Sequence, residues 1–98
     1  TASANTAVGS RALRQNTAGT GLVAVGAGAL QSNNVGENNT SIGQNALFSN
    51  TAGSYNTGLG NNSMFSNTTG TENTAVGYQA LNSNVTSIQN TAIGNEAL

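Results

Sequence analysis

The chain has 98 residues, a formal net charge of −1, and no His, Cys, Pro or Trp. That length makes one domain at most. Lack of His and Cys excludes the usual zinc sites and any disulfide framework, and without Asp no Ser-His-Asp triad can be assembled. The side-chain carboxylates are Glu37, Glu72 and Glu96, and Arg11 and Arg14 are the only cations. So few charges leave no nucleic-acid footprint and no basic membrane anchor. No enzyme activity, cofactor or metal is supported.

Asn, Ala, Gly, Thr and Ser supply 67 of the 98 residues, while Leu, Ile, Val and Phe supply 18. That is just under the share below which disorder is expected, but the high net charge of disordered chains is absent. The order of the residues decides for a repeat. After Thr1 to Ala4, units of 17 residues start at Asn5, Leu22, Asn39, Asn56 and Asn73, and a sixth starts at Asn90 and reaches Leu98. No insertion breaks the register. The chain is therefore one solenoid segment, 1–98. Neither end carries a polar cap, so it is expected to be a piece of a longer array.

Within the unit, a Thr-Ala-Val segment predicts a first short strand. Its branched column is Val8, Val25, Ile42, Leu59, Val76 and Ile93. An invariant glycine follows: Gly9, Gly26, Gly43, Gly60, Gly77 and Gly94. It supplies a positive φ or room for a turn. A second short strand is expected over the Ala-Leu pair, whose larger members are Leu13, Leu30, Leu47, Met64, Leu81 and Leu98. The unit closes on turn chemistry at Asn16, Asn33, Asn50, Asn67 and Asn84, whose side chains can bond along a stack.

Seventeen residues are too few for a pair of packed helices. They span at most about 56 Å, enough for one flattened coil, and six coils about 4.8 Å apart make a rod about 28 Å long. The expected fold is all-β, a repetitive β-solenoid or β-roll with 17-residue coils.

Strand neighbours point to opposite sides. Ala7-Val8 and Ala12-Leu13, and their counterparts, each pair two apolar residues. One member of each pair is expected inside the coil and the other outside, as an apolar stripe that favours self-association. Val76→Asp or Leu81→Asp is expected to unfold or depolymerise the array.

The unit NTAVGxxALxxNTxGxx has its cleanest copy at Asn73-Thr74-Ala75-Val76-Gly77-Tyr78-Gln79-Ala80-Leu81. It resembles the repeats of bacteriophage tail-fibre proteins, which often precede a self-cleaving intramolecular chaperone domain. More loosely, it is similar to the head repeats of trimeric autotransporter adhesins. The resemblance covers essentially the whole chain. It implies a homotrimeric β-solenoid fibre at a virion or cell surface, left-handed in the adhesin heads. The chaperone's catalytic residues have no counterpart here. Two units depart from the pattern. Leu22, Val23 and Val35 stand at positions usually polar, and Val85, Ser87 and Ile88 replace a Thr, a Gly and a polar residue, which points to a reshaped turn.

Other features carry weaker readings. Gly19, Gly21, Gly26 and Gly28 lie in or beside GLVAVGAGAL without the βαβ unit a dinucleotide loop needs, and calcium-binding rolls need Asp in each turn. Phe48 and Phe65 share a column and should stack, by default as packing and otherwise as a sugar platform. Tyr55 and Tyr78 read as surface contacts, and Arg11 and Arg14 as a solvated edge. Thr6, Thr40, Thr57, Thr74 and Thr91 form one rank, as on ice-binding solenoids, but an aliphatic residue stands two on from each. Gln44, Asn61, Tyr78 and Asn95 form an exposed variable column suited to a receptor.

The expected function is structural: a shaft or head segment of a trimeric extracellular or virion fibre that supports host attachment. A bacterial adhesin or surface filament subunit is the alternative, and an ice-binding solenoid a further one. The expected partners are further copies of the chain and a host-surface glycan or protein, with no nucleic acid and no membrane insertion.

Overall fold

The computed structural model describes residues 2–98; Thr1, the first residue before the array, lies outside them. Six short strands form: β1 Thr6–Val8, β2 Val23–Val25, β3 Thr40–Ile42, β4 Thr57–Leu59, β5 Thr74–Val76 and β6 Thr91–Ile93. They make one parallel sheet in sequence order, and each residue pairs with its counterpart one unit on, as Thr40 does with Thr57 and Ile42 with Leu59. The fold is thus the all-β solenoid that the period predicts. The coils stack into a body of 34 × 24 × 16 Å.

Each coil carries one strand, not the two expected. The segment that holds Ala-Leu is a run of turns. In the first coil Ala12 N–H donates to Gly9 O, Arg14 N–H to Arg11 O, and Asn16 N–H to Leu13 O. Arg11 and Leu13, the third residues of the first two turns, have φ of 65° and 55°. A positive φ at that place marks a type II turn. The same columns hold φ of 60° at Asn45 and 52° at Leu47.

This conformation also corrects the expectation for the Ala-Leu pairs. Alternation across a sheet holds only for extended backbone. With left-handed residues interleaved, both members turn inward: Ala29 and Leu30 are buried, as are Ala46 and Leu47, and Ala80 and Leu81. Leu98 is the exception, exposed at the end of the sixth unit.

The interior is narrow. From the sheet, only the small middle residues face it: Ala24, Ser41, Gly58, Ala75 and Ala92 are all buried. Opposite them lie Leu30, Leu47, Met64 and Leu81. Each such large side chain contributes about 1.5–3 kcal/mol by leaving water. Leu22, Ser63 and the inward alanines of the Ala-Leu pairs add to the interior, and six buried Asn side chains supply much of the rest, which explains how a chain so poor in aliphatic residues keeps a core.

Backbone groups are satisfied around the coil, beyond the strands. Leu30 N–H donates to Ala46 O at 3.1 Å and Ser32 N–H to Phe48 O at 3.2 Å, one coil on. At the second bend three successive N–H groups converge on one carbonyl, as those of Thr51, Ala52 and Gly53 do on Thr68 O. The fifth unit keeps this bend despite its altered sequence. Val85 O takes the N–H groups of Thr68, Thr69 and Gly70, so the expected reshaping does not occur.

Candidate functional site

Two amide ladders fix the cross-section. In the first, Nδ2 of Asn33, Asn50, Asn67 and Asn84 donates to Oδ1 of Asn16, Asn33, Asn50 and Asn67 at 2.8–3.0 Å. The same nitrogens also donate within their own coil, as Asn50 does to Gly53 O at 3.0 Å. Both amide hydrogens are thereby used, as burial requires.

The second ladder runs through Asn39, Asn56, Asn73 and Asn90 at the start of each unit. Oδ1 of Asn39, Asn56 and Asn73 accepts the backbone N–H of the Asn one coil on, at 2.8–3.0 Å. Their Nδ2 groups cross the coil to the carbonyls of Gly53, Gly70 and Ser87 at 2.7–2.8 Å. Asn5 plays this part for Leu22, whose N–H it accepts at 2.9 Å. Leu22 itself is fully buried and interrupts the series. That substitution hid the column from sequence reasoning, although an Asn opens five of the six units.

The invariant glycines lie where a side chain has neither conformation nor space. Gly43 has φ of 130°, and a Cβ there would meet the Gly60 carbonyl carbon at 2.6 Å. The column from Gly9 to Gly77 repeats that contact with the next coil.

Val8, Val25, Ile42, Leu59, Val76 and Ile93 end their strands on the outward face, because the small middle residue occupies the inward one. Val25 and Val76 are half-buried, while Val8 is 57% exposed, Ile42 37%, Leu59 41% and Ile93 70%. The outward member of the first apolar pair is therefore the larger residue. Thr6, Thr40, Thr57, Thr74 and Thr91, with Val23 in the second coil, share this face by the same alternation. The result is a sheet face two ranks wide and six strands long, without one charged residue. Val76 thus lies outside the interior, so of the two expected outcomes of Val76→Asp, unfolding or depolymerisation, unfolding does not fit its place. Leu81, buried, remains a core position.

Elsewhere the Phe48 and Phe65 rings stack in parallel, with centroids 5.1 Å apart and 4° between planes. Gln44, Asn61, Tyr78 and Asn95 are exposed, as are Tyr55, Arg11, Arg14, Glu37, Glu72 and Glu96. No group of three metal-ligating side chains comes together among the described residues.

Comparison with models of protein families, with curated proteins and with solved structures returns no match. The functional reading therefore rests on the geometry of the coil and its outward face.

Proposed function

We infer that this chain is a structural segment of a homotrimeric extracellular or virion fibre, a shaft or head portion that supports host attachment. The observation that supports this reading most is the rank Val8–Ile93 on the outward face of the sheet. An exposed apolar stripe that recurs on every coil is a liability on a lone soluble rod and an asset at an interface. Copies of the chain share one coil spacing, so stripes that meet along a common axis stay in register over any number of units. A narrow stripe suits several rods around one axis, and the resemblance of the unit to tail-fibre repeats supplies the number three. A bacterial adhesin or filament subunit would use the same surface.

The mechanism is mechanical. Sheet hydrogen bonds, the backbone bonds from the turn segment to the next coil and two amide ladders all run along the stack, so axial extension strains all of them together. Few charges and no cysteine take part, which suits a fibre exposed to varied surroundings.

Ice binding is the second reading. The threonine rank on a parallel sheet favours it, and the aliphatic second rank opposes it. Two measurements separate the readings. A trimer in sedimentation with no thermal hysteresis supports the fibre. A monomer that shapes ice crystals supports the alternative.

A further inference from the structure

The turn-rich side of the coil carries a notch that arises from the repeat itself. In most units the second and third residues of the first turn bear long or polar side chains: Ser10 and Arg11, Gln44 and Asn45, Asn61 and Asn62, Tyr78 and Gln79. The second unit has Ala27 and Gly28. The ridge drops at Ala27, while the Asn45 side chain leans over Gly28 into the place a Cβ would take. The resulting hollow of about 420 Å³ is lined by Ser10, Arg11, Gln31, Gln44, Asn45 and Phe48 around Ala27 and Gly28. That volume falls within the roughly 300–1,000 Å³ of small-molecule sites.

Its chemistry is specific. Arg11 is one of only two cations in the chain, and no acid lines the hollow. Gln31, Gln44 and Asn45 offer amides that both donate and accept. Gln31 lines the floor, with its Oε1 shielded from solvent, so Gln44 and Asn45 are the amides that face a ligand. Phe48 adds apolar ring surface, held in place by its stack on Phe65. One negative charge, several adjacent hydroxyls and an apolar C–H face would satisfy this lining together.

We propose that the notch over Ala27 binds an acidic pyranose saccharide, with Arg11 on its carboxylate and the amides of Gln44 and Asn45 on its hydroxyls. A guanidinium holds a carboxylate through paired, charge-assisted hydrogen bonds. The polarised C–H groups of a sugar ring meet the negative π face of an aromatic ring favourably. This site lies within one chain and does not depend on the assembly inferred above.

The test uses the whole chain and three probes: digalacturonic acid, its neutral galactose counterpart, and acetate. Titration followed by amide NMR shifts or calorimetry should show binding of the uronic disaccharide. The neutral sugar and acetate should each bind at least about tenfold more weakly, the loss that accompanies one charged hydrogen bond. Gly28→Asn and Ala27→Gln should each abolish binding. Both install the residue found one coil on, at Asn45 and Gln44, and Asn45 already has a left-handed φ of 60°. Two variants guard against a folding failure in either. Arg11→Gln should reduce the uronic disaccharide to the level of the neutral one. The proposal is overturned by no binding of digalacturonic acid, by equal binding of the neutral sugar, or by binding that survives in a folded Gly28→Asn or Ala27→Gln chain. Sedimentation mass should be unchanged in all three variants, so a failure here is separate from a failure of the fibre reading.

Discussion

At the scale of single residues, the unit is governed by the sign of φ. Gly43 combines φ of 130° with a neighbouring backbone carbon 2.6 Å from where a Cβ would sit. Gly43→Ala is therefore expected to destabilise the chain by about 3 kcal/mol, measured by urea unfolding. A loss below about 1 kcal/mol would show that the coils are not in this contact. Gln79 gives the opposite case. Its φ is 57°, and the second coil already has Gly28 in its column. Relief of left-handed strain and the entropy cost of glycine are both about 1 kcal/mol. Gln79→Gly should accordingly leave the midpoint almost unchanged or raise it. The invariant glycines were legible in the sequence because no other residue type replaces them. The left-handed leucines were not. Nothing in the identity of Leu47 or Leu81 signals a positive φ, which tertiary context imposes on a residue that resists it.

At the scale of elements, the amide ladders matter as much as the strands. Asn50 donates to Asn33 Oδ1 and Gly53 O and accepts from Asn67. Its loss leaves buried partners on both sides, so Asn50→Ala should cost about 2–4 kcal/mol in thermal or urea unfolding. Asn16, half-buried in the first coil, should cost less. Equal effects at the two positions would argue against a continuous ladder. The first strand, the turn after it and the Asn column could all be read from the unit. The second strand could not exist as expected, because three overlapping turns occupy its place. Alternation applied to Ala12-Leu13 assumed extended backbone and so sent one residue of the pair outward. For Ala7-Val8 alternation did apply, yet it left open which member faced in. The narrow interior decides that: opposite Leu30, Leu47, Met64 and Leu81, only a small residue fits.

At the scale of the whole molecule, the outward sheet face separates folding from assembly. Ile42 and Leu59 are the exposed centre of that face, whereas Leu47 is fully buried. Leu47→Ala should lose about 2–5 kcal/mol of stability through the cavity it leaves. The double variant Ile42→Thr, Leu59→Thr keeps β propensity and extends the threonine face. It should fold into the same coil and lose self-association. Circular dichroism and sedimentation on the same samples would show both effects. The measurement that bears most directly on the fibre is the solution mass of the unaltered chain by sedimentation equilibrium. The account predicts three times the chain mass of 9.7 kDa, reduced to one chain in the double variant. A monomer at every concentration reached would contradict it and leave the apolar rank without a partner.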